Sequence, residues 1–279
     1  MTVENGLFWN KSWNPIHVKG GGYFCTRVSP GCARCWCYSY NQRFGNGLPF
    51  DNRPVEFELD QLILEAPLHW RKPQVIAIQW LGDIFHEQIP DLFIKNIIFA
   101  SEAWDWHKYL FLTKRIERAK EILDKLYSQD VRPYDNLWLG VSISTQKEAD
   151  EKIPILLATP AAHRFVNLEP CLEGVNIKRY LRPGQQFYDA LRNVCSGILN
   201  ENLPRVSYDK PDGLDWVALG CESGPGRRPM EFEWAQSIAE QCKAAGVKMW
   251  IKQVNIDGKV IKDINLFPKE LQIREFPWK

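Results

Sequence analysis

The feature that most constrains the fold is an alternation of short apolar runs with amphipathic helical patterns. The apolar runs are rich in β-branched and aromatic residues and too short for buried helices, so they predict strands at 75–80, 109–112, 137–143, 164–168, 216–219 and 247–251. Helical periodicity lies between them, at 91–104, 116–126, 146–158 and 232–245. Gly246 follows the last of these helices, as a C-cap would.

Alternation of this kind is typical of parallel βαβ units, so the sequence predicts an α/β fold. With a further strand before Cys25, about seven strands favour a complete or partial (β/α) TIM-type barrel over the alternative, an open doubly wound sheet. The length of 279 residues suits one barrel domain spanning 1–279. The segment from about 178 to 212, rich in Arg, Pro, Asn and Gly, interrupts the alternation and is predicted to be a surface insertion.

Four of the eight cysteines lie within thirteen residues, in a loop over residues 25–37. Cys25 and Cys32 enclose six residues, and Cys32 and Cys35 enclose two. Thiolates this close can converge on one soft metal ion or cluster. A 4Fe-4S cluster held by three cysteines keeps one iron open for a ligand that is not protein. Cys37 is then either an optional fourth ligand or a small buried side chain.

Two other interpretations of the cysteines stay open. One is a closed zinc site, with Cys37 or His17 as the fourth ligand, and the other is a pair of disulfides. The chain starts MTVENGLFWNKSW, with neither a basic nor an apolar signal region, so we expect a cytoplasmic protein with reduced thiols. No apolar stretch approaches the roughly twenty residues of a membrane span. The net charge of +1 argues against a general polyanion binder but permits a local basic patch.

Polar and ionisable residues follow almost every predicted strand. Asp83, Ser142, Glu169 and Glu222 are the main examples. Because the carboxyl ends of parallel barrel strands share one face, we expect these side chains to meet the cysteine loop at one cavity. A partly buried carboxylate needs a cation or hydrogen-bond donors, which favours a binding role. The alternative is that polar residues mark where the chain leaves the core.

Four further residues are candidates for contact with a substrate. Lys114 and Arg115 follow a predicted strand and suit a phosphate or carboxylate, and Arg227 lies in a Gly-Pro-Gly turn that could present it to an anion. His86, in Asp-Ile-Phe-His-Glu, is a candidate ligand or proton donor. For each of them, a structural role at a helix start or turn is the alternative.

The order of these motifs resembles the three-Cys-motif family first named from phage proteins, a family of unknown function. The matching motifs run from about Trp13 to Gln253: Trp13-Asn14-Pro15, Cys-x6-Cys-x2-Cys, Asp83-x-Phe85-His86, Leu112-Thr113-Lys114-Arg115, Trp138-Leu139-Gly140-Val141-Ser142, Ala158-Thr159-Pro160, Leu168-Glu169-Pro170, Glu222-Ser223-Gly224-Pro225-Gly226 and Pro229-Met230. The cysteine motif and predicted barrel are in turn similar to those of radical S-adenosylmethionine (SAM) enzymes, although the usual spacing there is Cys-x3-Cys-x2-Cys.

The resemblance implies a 4Fe-4S cluster on Cys25, Cys32 and Cys35, with S-adenosylmethionine as the second cofactor. By the same analogy, the SAM cleft would be lined by Gly82, Asp83, Ser142, Glu169 and Glu222. The sequence departs from the family at two places. Trp36-Cys37 stands where Tyr-Ala is usual, and Gly220-Cys221-Glu222 stands where Gly-Gly-Glu is usual.

The function that the resemblance implies is a radical SAM-like enzyme that cleaves SAM and modifies an unknown substrate. The preferred substrate is a nucleic-acid base or nucleotide, held by His86, Lys114, Arg115 and Arg227. The electron would come from a donor such as flavodoxin or ferredoxin. The alternatives from other classes are a zinc-binding module associated with nucleic acid and a metal-dependent hydrolase or lyase on the same barrel.

Overall fold

The computed structural model describes residues 6–127, 133–181 and 213–278. In these ranges the strands are β1 Lys11–Trp13, β2 Ile16–Val18, β3 Phe57–Leu59, β4 Val75–Ile78, β5 Lys108–Thr113, β6 Leu137–Ile143, β7 His163–Leu168, β8 Trp216–Gly220, β9 Lys248–Ile256 and β10 Lys259–Ile261. The helices are α1 Trp36–Phe44, α2 Gln61–Leu64, α3 Asp91–Ala103, α4 Ile116–Leu126, α5 Gln146–Leu157 and α6 Phe232–Ala245.

The main sheet has eight strands in the order β1-β4-β5-β6-β7-β8-β9-β10, parallel except for the β9–β10 hairpin. The predicted α/β fold is therefore confirmed. The order never reverses, whereas a doubly wound sheet reverses at a switch point. A complete barrel is not observed within the described ranges, where β1 and β10 are the two edges of the sheet. A small separate sheet pairs β2 with β3 antiparallel.

The sheet is strongly curved. The Phe8 ring centroid lies 5.6 Å from that of Trp80, just beyond β4, and 5.1 Å from that of Trp216 in β8. In a flat sheet, β4 and β8 would be about 19 Å apart, since neighbouring strands are separated by about 4.8 Å. One ring can meet both tryptophans because the sheet curls around it. The completely buried Phe8 thus fills the concave side.

The two faces of the sheet carry different packing. Residues on the convex face, such as Ile76, Tyr109 and Val166, pack in the core that includes α3, α4, α5 and α6. The concave face carries a second core built mainly from aromatic rings: Phe8, Trp138, Phe165, Trp216, Trp250 and Phe276. Gly140 has no side chain where a Cβ would lie 2.3 Å from Phe165 Cζ. Glycine there lets the Phe165 ring lie flat against β6.

Strongly periodic segments lie where the sequence places them. α4, α6 and β6 have the predicted bounds, and Gly246 adopts the left-handed conformation of a C-cap, with φ of 66°. α3, α5 and the other predicted strands differ by a few residues at their ends. The predicted insertion at about 178–212 begins with a short 3-10 turn at Lys178–Tyr180, and its remainder, 182–212, lies outside the described residues. None of the helices in the described ranges has the length and apolar character of a membrane span.

Candidate functional site at the strand ends

A cavity of about 370 Å³ lies at the carboxyl ends of the parallel strands. This volume falls within the range of about 300 to 1,000 Å³ that is usual for small-molecule sites. The cavity brings together eleven residues that the sequence singles out: Cys25, Cys32, Cys35, Cys37, Gly82, Asp83, Lys114, Arg115, Ser142, Glu169 and Glu222. The predicted meeting of strand ends and cysteine loop is therefore observed. His86 and Arg227 do not line the cavity.

The cysteine loop is held close to the strand ends by its backbone. Ser29 Oγ accepts a hydrogen bond from Gly31 N at 3.1 Å, which turns the chain before Cys32. A Cβ on Gly31 would lie 2.4 Å from Ser144 Oγ, so any other residue would force the Ser144 side chain or the loop to move at the end of β6. Gly82 has a similar role, since its Cβ would lie 3.2 Å from the Phe24 carbonyl oxygen, just before Cys25.

The cysteines of the loop have different environments. Burial raises the pKa of Cys25 to about 12, although the nearby Arg115 guanidinium opposes this rise. The pKa of Cys35 is lowered because the Cys37 thiol donates a hydrogen bond to it, helped by the amides of Cys37 and Tyr38 at the start of α1. The same contact, together with burial, raises the pKa of Cys37. The two shifts favour the thiolate at Cys35 and the neutral thiol at Cys37.

The donor chemistry of the loop fits a soft metal centre. Cys25, Cys32 and Cys35 all border one cavity, and all seven cysteines in the described ranges are free thiols, so the disulfide alternative is not observed there. Within those ranges, no three His, Cys, Asp or Glu side chains are already gathered around a single metal-sized point. The observation that supports a cluster on this loop is therefore that Cys25, Cys32 and Cys35 border the same cavity.

A first ion pair anchors the amino-terminal side of the loop. Asp83 accepts four hydrogen bonds: from Thr113 Oγ1 at 2.7 Å, Phe85 N at 3.0 Å, Lys114 N at 2.9 Å and Arg115 Nη1 at 3.1 Å. Arg115 also donates to the Thr26 carbonyl at 3.1 Å, and its Nη1 lies 3.7 Å from Cys25 Sγ. Both charged side chains are about 5% exposed. Asp83 therefore orients Arg115, and Arg115 holds the backbone beside Cys25.

A second ion pair anchors the loop from the other side. Glu222, only 4% exposed, accepts hydrogen bonds from Arg228 N at 2.8 Å, Nε at 3.0 Å and Nη2 at 2.5 Å. Arg228 Nη1 donates to the Pro30 carbonyl at 3.0 Å, two residues before Cys32. Arg228 lowers the pKa of Glu222 against the opposing effect of burial. Two carboxylate–arginine pairs thus hold the loop: Asp83–Arg115 near Cys25 and Glu222–Arg228 near Cys32.

The remaining polar groups of the cavity belong to neighbouring strand ends. Lys114 Nζ donates to Ser142 Oγ at 2.5 Å, and Lys252 Nζ donates to Glu169 Oε1 at 2.6 Å. Asn167 is 5% exposed, and its side-chain oxygen has no hydrogen-bond partner among the residues that the structure describes. A buried acceptor without a donor costs free energy, so a bound molecule that donates to Asn167 would stabilise the site.

Aromatic rings form part of the cavity wall. The Trp9 and Trp80 ring centroids are 4.4 Å apart, and both residues border the cavity. Lys252 Nζ lies 5.4 Å from the Trp9 ring centroid, close enough for a cation–π contact. The cavity therefore combines an apolar wall with charges of both signs.

His86 lies behind the cysteine loop and is only 1% exposed. Its Nδ1 accepts a hydrogen bond from Gln88 N at 3.2 Å, so the other nitrogen carries the proton and donates to Thr26 Oγ1 at 3.3 Å. Burial lowers the pKa of His86 to about 4, with a smaller contribution from Arg115. The imidazole is therefore neutral at pH 7, and its hydrogen bond to Thr26 holds the cysteine loop from the buried side.

Arg227 lies in the turn after β8 and donates to the carbonyl oxygens of Gly224, at 3.4 Å, and Gly258. Its neighbour Arg228 makes the contact with the cysteine loop instead. Sequence reasoning also left out Lys252 and Asn167 as site residues. Lys252 follows an apolar run in the same way as Glu169, so the strand-end pattern could have found it, whereas Asn167 is hidden inside an apolar strand.

Comparison with known proteins matches most of the chain to one family model. The model is described as a protein of unknown function (DUF5131), and it matches residues 6–264. This range contains the cysteine loop, all ten strands described above and every residue that borders the cavity. No curated protein and no solved structure matches the chain.

Proposed function

Because the chain belongs to the DUF5131 family, whose function is not established, we propose from its site that it is a radical SAM-like enzyme. Cys25, Cys32 and Cys35 would hold a 4Fe-4S cluster, and the adjoining cavity would bind S-adenosylmethionine. One observation carries the proposal. The three thiols of a Cys-x6-Cys-x2-Cys motif border a single cavity at the carboxyl ends of a parallel sheet.

The shape of the sheet supports the same proposal. Seven parallel strands follow each other in chain order, and a ring just beyond β4 and a ring in β8 meet around Phe8 although four strand spacings separate those strands. We interpret this as a partial (β/α) barrel that is open between β1 and β10. An open barrel leaves room on one side for a large substrate, while its strand ends still converge on one site.

When bound and reduced, the cluster would supply one electron to SAM, which would break a carbon–sulfur bond and give methionine and a 5'-deoxyadenosyl radical. The electron would come from a donor such as flavodoxin or ferredoxin. The role of this chain is to orient the two cofactors and to exclude water from the radical. The aromatic wall at Trp9 and Trp80 suits the second task.

The charges of the cavity match those of SAM, which carries a carboxylate and two cationic groups. Lys114 and Lys252 can approach the carboxylate, and Glu169 can stabilise the cationic groups in a site of low dielectric. Ser142 and the side-chain oxygen of Asn167, which has no partner in the described part of the chain, add hydrogen-bonding groups. Asp83 contributes indirectly, because its four hydrogen bonds are all to protein donors.

Anaerobic expression and reconstitution test the proposal against its main alternative. A cluster-bearing protein should be brown and carry about four irons per chain, whereas the zinc-binding alternative predicts a colourless protein with stoichiometric zinc. Zinc with negligible iron after anaerobic expression would refute the proposal. A metal-dependent hydrolase would also lack the brown colour.

A further inference from the structure

Helix α1 begins at the cavity and carries a row of exposed aromatic side chains. Trp36, Tyr40 and Phe44 are 50%, 39% and 68% exposed. They are spaced four residues apart, so they lie on one face of the helix with about 6 Å between successive positions along the axis. Trp36 also borders the cavity. The three residues, here called the α1 stripe, therefore lead outward from the cavity mouth.

Exposed rings of this size usually need a partner, and the charge of the segment that carries the α1 stripe indicates which kind. Residues 5–50 contain five Lys or Arg and no Asp or Glu, although the whole chain has a net charge of only +1. Lys19 and Arg34 pair with Glu56 and Glu222 outside this segment. Arg43 lies over the Phe44 ring, with 5.2 Å from its Cζ to the centroid. Arg27 lies over Tyr38 in the same way, at 5.4 Å. Neither arginine forms an ion pair within the described parts of the chain.

We propose that the α1 stripe, with Arg27 and Arg43, binds single-stranded nucleic acid and leads one nucleotide to the cavity. Aromatic rings that stack on successive bases, together with cations that track the phosphates, are the two components of single-strand binding surfaces. Every base has a π face, so the surface would tolerate many sequences. A protein partner would bury the rings but would not explain a segment of 46 residues without a single acidic side chain.

This inference rests on the proposed function only for the fate of the nucleotide at the cavity. Binding itself needs neither iron nor SAM, so it can be measured on the protein as isolated. Loss of SAM cleavage with intact binding would refute the proposed function and leave the binding surface in place. SAM cleavage without any binding of single strands would refute the binding surface and leave the proposed function in place.

Fluorescence anisotropy with labelled 12-nucleotide single strands of DNA and of RNA tests the inference, with a duplex of the same sequence for comparison. We expect single strands to bind more tightly than the duplex, whose bases are already stacked. Tyr40→Ala and Phe44→Ala should each weaken binding by about five- to a hundredfold. Arg27→Gln and Arg43→Gln should each reduce the slope of log affinity against log salt by about 0.7.

Phe99→Ala is the matched control, because Phe99 is a 53% exposed aromatic residue on α3. We expect it to bind as the wild type does. All these positions are on the surface, so the variants should fold. The inference would be overturned if the wild type bound no single strand, or if Tyr40→Ala and Phe44→Ala both bound with wild-type affinity. A preference between the DNA and RNA strands would identify which nucleic acid the surface accepts.

Discussion

Asp83 Oδ2 lies 3.1 Å from Arg115 Nη1, in an ion pair buried directly behind Cys25. One helix and one strand, α3 and β5, separate the two residues in the sequence, and the parallel pairing of β4 with β5 brings them together. Arg115 then reaches forward to the Thr26 carbonyl and lies 3.7 Å from Cys25 Sγ. The position of a candidate metal ligand thus depends on a carboxylate that need not contact any cofactor.

Asp83→Asn should therefore destabilise the protein. An Asn side chain is neutral and has an NH2 donor in place of one carboxylate oxygen, so it cannot accept all four hydrogen bonds of Asp83, and the buried Arg115 guanidinium loses part of its compensating charge. Breaking a buried pair of this kind typically lowers the free energy of unfolding by about 3 to 5 kcal/mol. Urea denaturation of the isolated protein measures the effect. Asp51→Asn, in an exposed pair with Arg53, is the control and should change stability by less than about 1 kcal/mol.

Wild-type stability of Asp83→Asn would contradict this role. In that case Asp83 would be free to contact SAM directly, as the strand-end pattern and the family resemblance predict.

Iron binding should separate Cys37 from the other cysteines of the loop. Cys25→Ala, Cys32→Ala and Cys35→Ala should each abolish the roughly four irons per chain after anaerobic reconstitution, because each removes one of only three ligands. Cys37→Ala should retain most of the iron, since Cys37 lies outside the Cys-x6-Cys-x2-Cys motif and its raised pKa favours the neutral thiol over the thiolate that a metal needs. Iron analysis and visible absorption measure both. If the Cys37→Ala variant lost its iron, the assignment of Cys25, Cys32 and Cys35 as the three ligands would be contradicted.

Glu169→Gln should weaken SAM binding and leave the iron content unchanged. Glu169 borders the cavity, and Lys252 at 2.6 Å is its hydrogen-bonding partner there. A charge-assisted hydrogen bond is worth about 1.5 to 3 kcal/mol, so its loss should lower SAM affinity by roughly ten- to a hundredfold. Isothermal titration of SAM into reconstituted protein measures this. Glu151→Gln, on an exposed position of α5, is the control, and equal affinities for both variants would contradict the assignment.

His86 should make the wild type sensitive to mild acid. Burial lowers its pKa in the folded state to about 4, from the ordinary 6.5, so the unfolded chain binds the proton more readily. The stability that neutral His86 contributes is fully present above pH 6.5 and is lost as the pH falls towards 4. The loss should reach about 3 kcal/mol.

Denaturation of the wild type and of His86→Gln between pH 7 and pH 4 measures the difference. Gln retains a donor for Thr26 but does not titrate, so the variant should lose less stability over this interval. Identical pH profiles would show that His86 is not responsible.

Much of the fold could be predicted from local pattern alone. α4 and α6 are strongly amphipathic and have the expected bounds, since their periodicity extends over three turns or more. β2 and β3 could not be found in this way, because they are three residues long and pair across about forty residues. α1 begins inside the cysteine motif, where the spacing of the thiols dominates the sequence pattern.

The site was predictable to the extent that strand ends in a parallel sheet share one edge. This rule placed Lys114, Ser142, Glu169 and Glu222 correctly beside the cysteines. The rule does not give the direction of a side chain beyond the end of the strand. It therefore could not exclude His86 from the residues that line the cavity, although His86 packs behind the loop. It also could not pair Lys252 with Glu169, since β8 lies between the two strands, β7 and β9, whose ends bring them together.

The most direct test of the proposed function is whether 5'-deoxyadenosine forms when anaerobically reconstituted, reduced protein is mixed with SAM. Liquid chromatography of the quenched mixture measures it, with Cys25→Ala as the control that lacks the cluster. We predict that 5'-deoxyadenosine accumulates with time in the wild type and is absent from Cys25→Ala. A wild type that carries a full complement of iron, binds SAM and forms no 5'-deoxyadenosine would contradict the assignment as a radical SAM enzyme.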